Sequence, residues 1–184
     1  MDWQPKYHPQ GDSALFADGR SMRPLVEGTV SVGNLAEDDA FYRGRAGSAP
    51  DAPYVTKIPT RTADGQPTLK LDERFVRRGQ ERFNVFCSPC HDRTGAGRGL
   101  VVQRGYPPPP SLTADHVHQM ADGEVFNIIT HGVRNMPAYN VQIPAEDRWA
   151  IVAWVRVLRR SQHGHLKDVP AERRGSIEPA EGQP

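Results

Sequence analysis

Cys87-Ser88-Pro89-Cys90-His91 is the stretch on which the reading of this chain turns. Two thiols three residues apart can add to the two vinyl groups along one edge of a haem, and the next residue brings an imidazole under the iron. Cys87 and Cys90 are the only cysteines among 184 residues, so no second pair exists to complete a zinc site. A thioredoxin-like redox pair would want a strand before the motif and a βαβ context, and the surrounding sequence offers neither. Five residues is a short pattern, and it gains its weight from its neighbours.

Working outward, Asp72 can cap a helix whose Phe75, Val76, Gly79, Phe83 and Phe86 recur at helical spacing. The porphyrin edge would then be anchored at that helix's C-terminal end. Downstream, a brief helical turn is expected over 114–120. A second helix should start near Asp122, bury Val125, Phe126, Ile128 and Ile129, and end at Gly132. The last helix is signalled by Pro144 in its first turn, Glu146 and Asp147 after it, and Arg159 and Arg160 at its close. Ile151, Trp154, Val155 and Leu158 form its apolar face. No convincing strand pattern intervenes. The expected fold class is all-α: a small helical domain over 71–160 around one covalent haem c.

A second ligand to the iron is sought beyond the motif. Met136 lies between two expected helices, followed by Pro137, which would fix the backbone just after it. A Met thioether is a soft, neutral ligand, and Met/His ligation raises a reduction potential. Met120 reads as core packing and Met22 is remote in sequence; His131 is the next choice if Met136 does not ligate. His116, His118, His163, His165 and His8 read as exposed or structural. The run Tyr106-Pro107-Pro108-Pro109-Pro110 reads as a rigid connector, one of whose carbonyls could accept the ring N–H of His91. The expected site is therefore Cys87, Cys90, His91 and Met136, with His91 and Met136 on the metal. With both axial positions filled, substrates find no open site, and the domain reads as a relay for single electrons with no catalytic acid, base or nucleophile.

The flanks differ in kind from this domain. Residues 1–70 hold seven Pro and seven Gly without sustained periodicity, a composition too poor in burial to offset its ordering entropy. Trp3, Tyr7, Phe16, Phe41, Tyr42 and Tyr54 are spaced along it, as in an extended arm whose rings fill pockets on a partner. Residues 161–184 read as a polar tail. Arg77, Arg78 and Arg82, with Arg159 and Arg160, form either a docking patch for an acidic partner or an ordinary solvated face. The net charge of +1 gives no ground for nucleic-acid binding, and no apolar run reaches the 18 or so residues of a membrane span. The start, Met1-Asp2-Trp3-Gln4-Pro5, lacks the pattern of a signal peptide.

Residues 71–160 resemble the class I cytochrome c fold in Gly79, Phe83, Cys87, Cys90, His91, Met136-Pro137 and Trp154. The resemblance implies that the first and last helices cross closely with Gly79 and Trp154 at the contact. It also implies maturation outside the cytoplasm, with a leader removed. Gln4-Pro5-Lys6-Tyr7, Asp18 through Pro24, Val26 through Val30 and Asp39 through Gly44 are similar to the monohaem cytochrome c subunit of bacterial alternative complex III. That likeness implies a subunit on the periplasmic side of a quinol-oxidising membrane complex. Iron–sulfur or multihaem subunits would feed it electrons, and it would pass them towards a terminal acceptor protein. Members commonly carry a lipidated Cys at the mature N-terminus; here the anchor would lie upstream of Met1, or the partners alone would hold the chain. The alternatives are a freely diffusing monohaem shuttle, a haem peroxidase or ligand sensor with a labile sixth position, and a chain that chiefly holds an assembly together.

Overall fold

The computed structural model describes residues 4–24, 26–30, 32, 35–62 and 64–175; Trp3 and the end of the tail, 176–184, lie outside the described residues. Two compact units divide the chain, residues 1–36 and 37–184.

In the first unit the backbone turns back on itself. Asp12 bridges to Arg20, Ser13 N–H donates to Gly19 O at 2.8 Å, and Ser21 Oγ donates to Gly11 O at 2.7 Å. Arg23 pairs with Asp18 and lies 4.2 Å over the Phe16 ring. Leu15 and Val26 nevertheless leave 75% and 73% of their surface in water.

The second unit is helical, and among its described residues there is no strand. Its helices are α1 (Asp39–Arg43), α2 (Glu73–Phe86), α3 (Ser88–His91), α4 (Leu100–Gln103), α5 (Asp115–Gln119), α6 (Asp122–His131), α7 (Ala145–Gln162) and α8 (Ala171–Arg174), with a 3₁₀ turn at Leu166–Asp168 before α8. The expected cap is in place: the Asp72 carboxylate accepts from Phe75 N–H at 3.0 Å, which satisfies one orphan donor of α2. Phe75, Gly79 and Phe83 are the buried stripe of α2, one turn apart, and they pack on α7. α6 ends at Gly132 (φ 76), as its sequence predicts.

Two features differ from the expectation. Residues 37–70, grouped with the arm by composition, lie on the helical core. Trp149 Nε1 donates to Phe41 O at 2.7 Å, Gly123 N–H to Val55 O at 2.9 Å, and Ile58 N–H to an Asp122 carboxylate oxygen at 3.1 Å. That cover explains the second difference. Trp149, Ala150 and Val152 are as fully buried as Ile151, so α7 is enclosed on more than one face, while Trp154 is only partly buried. Trp149 stacks on Phe126 with ring centroids 4.2 Å apart.

The five arginines of the candidate docking patch are paired within the chain. Arg77 pairs with Glu73, Arg78 grips Asp147 through two bonds of 2.7 and 3.0 Å, and Arg82 approaches the same carboxylate at 3.3 Å. Arg159 pairs with Asp115 and Arg160 with Asp168. These pairs favour the solvated-face reading over the docking patch. Asp147 is buried while both its partners are partly exposed, so Asp147→Ala should cost about 2 kcal/mol, less than for a fully buried pair. Urea unfolding of the variant measures this directly.

Candidate haem-binding site

The motif begins where α2 stops. Cys87 is both the last cap of α2 and the first of α3, and its carbonyl accepts from Cys90 N–H at 3.1 Å and His91 N–H at 2.9 Å. One helical turn therefore sets Cys90 three positions after Cys87, on the same side, with His91 immediately next. Pro89 sits in the first turn of α3, where its missing N–H costs nothing. Ser88 Oγ donates back to Asn84 O at 2.7 Å and joins the two helices.

His91 is followed by a strained residue. Asp92 has φ 54 and ψ 174, a region that side chains rarely adopt and that costs about 1–3 kcal/mol. Its carboxylate offsets this by accepting from Thr94 N–H (2.7 Å), Thr94 Oγ1 (2.6 Å) and Arg98 N–H (2.9 Å). Burial raises the Asp92 carboxyl, but the bonds from Thr94, Arg98 and Ala96 outweigh it and hold the group below its ordinary value. The loop that leaves His91 is thus pinned. The Asp-x-Thr spacing is the sequence signal that could have found it.

The surroundings of the imidazole favour the form that binds metals. Burial pushes the His91 ring below its ordinary value, against a smaller opposing pull from Asp92, and so favours its neutral form. Its Nδ1 is buried with no hydrogen-bond partner. No proline carbonyl meets it; the run 107–110 instead backs the loop, with Gly97 so close to Pro109 O that a Cβ would lie 2.4 Å away. Burial, and then the neighbouring Cys90, push the Cys87 thiol up to about 12. A thiol raised this far is a poor nucleophile at neutral pH, which disfavours a thioredoxin-like role for Cys87.

Met136 lies on a separate turn after α6. Val133 and Met136 exchange backbone hydrogen bonds of 3.0 and 2.8 Å, closing a tight turn that contains Arg134 at φ 51. Gly132 meets this turn so closely that a Cβ there would lie 2.4 Å from Met136 O. Tyr139, three residues on, brings its ring 6.4 Å from that of Phe86, edge to face, at the end of α2. Burial, and the nearby Cys87 and Cys90, raise the Tyr139 phenol. The turn bearing Met136 is thereby placed beside the motif, and both pack on the same apolar cluster of Phe83, Ile129, Val155 and Leu158. His131 is exposed, whereas Met120 packs against the core as expected. A half-buried imidazole whose neutral form is favoured, a thioether on a fixed turn and two thiols one helical turn apart are a donor set that fits haem c.

Residues 74–155 match the family model described as "Cytochrome C oxidase, cbb3-type, subunit III". No curated protein matches the chain. Among solved structures, it is similar to a chain of the reducing HAO-like protein complex of Kuenenia stuttgartiensis, with 21% identity and a TM-score of 0.42 over 51% of this chain and 50% of that one. It is also similar to cytochrome CL of the marine methylotroph Methylophaga aminisulfidivorans, with 21% identity and a TM-score of 0.39 over 61% and 72% of the two chains. The chain thus spans about half the length of the Kuenenia protein. Among the described residues no helix is long and apolar enough to cross a membrane.

Proposed function

We propose that residues 74–155, a cytochrome c domain that carries covalent haem c and transfers electrons, work as a fixed subunit of a quinol-oxidising complex of the alternative complex III kind. In this reading Cys87 and Cys90 hold the porphyrin through thioethers, and His91 and Met136 ligate the iron from opposite faces. The haem supplies the one-electron couple; the chain supplies a neutral imidazole, a fixed thioether turn and a dry apolar wall. Iron–sulfur or multihaem subunits deliver electrons, and an acceptor protein removes them. Cytochrome c domains are usually extracytoplasmic, and the proposed place is the periplasmic face of the membrane, held by partners or by a lipidated Cys upstream.

The observation that carries this reading is the first unit. Its backbone is ordered by its own hydrogen bonds, yet Tyr7, Leu15, Val26 and Leu35 stand in water. A diffusing shuttle gains nothing from holding such side chains out, whereas a subunit seats them on a neighbour. Purification from detergent-solubilised membranes through a tag on this chain should recover partner subunits. Deleting residues 1–36 should release the chain from them while its haem spectrum stays intact. Recovery of the full-length chain as a lone soluble species would end the proposal.

A further inference from the structure

Tyr106 opens the proline run and is 39% exposed, a place where a phenol needs no special role. Its hydroxyl nevertheless donates to the carbonyl of Asn135 at 2.5 Å, across 29 residues of sequence. Asn135 lies in the turn that ends at Met136.

The other end of the same segment is tied to the loop that follows His91. Leu112 N–H donates to Gly95 O at 2.8 Å, Ser111 Oγ approaches the same oxygen at 3.4 Å, and Gly97 rests on Pro109 O. Between these ties stand Pro107 to Pro110, a rod with little freedom to stretch or bend. A continuous path therefore runs from the His91 loop, through the prolines, to Tyr106 Oη and the Met136 turn. The turn needs such a hold, because Arg134 sits at φ 51, where residues other than glycine are strained.

We propose that Tyr106 is a clasp that holds the Met136 turn against the His91 side and so sets how readily the sixth position on the iron opens. Tyr106 touches neither haem nor metal in this role; it is a positioning residue. The inference rests on Met136 being the ligand, so the test is built to separate the two.

Tyr106→Phe removes one oxygen and keeps the ring. Purified ferric holoprotein would be mixed with cyanide, which can enter only when the thioether has left. One partly exposed hydrogen bond is worth about a threefold change in the open population, so binding should speed up about threefold. The weak far-red sulfur-to-iron absorption should be lost at a lower pH than in the parent protein. A stabiliser of the fold in general would instead lower the urea midpoint without moving either readout, and that result overturns the proposal. Parent-like cyanide binding by Tyr106→Phe, beside fast binding by Met136→Ala, overturns the clasp and leaves the ligand reading standing. An unchanged spectrum in Met136→Ala overturns both.

Discussion

Gly79→Ala should destabilise the helical unit by about 3 kcal/mol, more than any other single methyl added to α2. A Cβ at Gly79 would lie 1.9 Å from the carbonyl oxygen of Ala150, 2.6 Å from its carbon and 3.2 Å from the Cβ of Trp154. The first two atoms are backbone of another helix and cannot rotate away. α2 and α7 would have to separate, and that would loosen Phe75, Phe83, Ile151 and Val155, all buried in the same cluster. The higher helix propensity of alanine recovers only about 1 kcal/mol of the loss. Urea unfolding followed by circular dichroism measures the cost; parent-like stability would show that the crossing is looser than described.

Met136→Ala should turn a closed relay into a ligand-binding protein. In the proposed ligation, an external ligand must wait for a minor open form of about 1%. Without the thioether, cyanide and carbon monoxide should bind about 100-fold faster. The reduction potential should fall as well, because the thioether no longer favours ferrous iron. The alanine leaves the turn itself in place, since the turn is closed by the main chain of Val133 and Met136 and by Tyr106 on Asn135 O. Stopped-flow absorption on the purified holoprotein measures the rates, and unchanged kinetics would remove Met136 as the ligand.

How much of this could be read beforehand follows from where side chains carry the message. α2, α6 and α7 were legible because Phe75, Gly79 and Phe83, or Val125, Phe126 and Ile129, mark one face at helical spacing. The cytochrome c fold and its haem c were likewise legible from the motif and its flanking helices, and the match over 74–155 accords with them. The packing of residues 37–70 was not legible, because it is tied through main-chain atoms such as Phe41 O, Gly44 O and Val55 N and O, which leave no pattern in side-chain type. Trp149 was missed for the same reason: its acceptor is a carbonyl 108 residues away. The bridge from Tyr106 to Asn135 is also a side chain on a main-chain oxygen. The arginines of α2 and α7 were individually legible as charges, but their pairing with Asp147, Asp115 and Asp168 needed the helices placed in space.

The blanket of residues 37–70 bears on anyone who would excise a minimal redox module. A gene cut at codon 71 keeps every residue of the family match and every proposed ligand. It also deprives the Trp149 indole of its acceptor, the Gly123 amide of Val55 O, and the flank of α6 of its wrapping. Each loss hands a formerly sheltered polar group or ring to solvent near the starts of α6 and α7. The smallest self-sufficient fragment should start near residue 37, where the second compact unit begins, upstream of where homology alone would place the scissors.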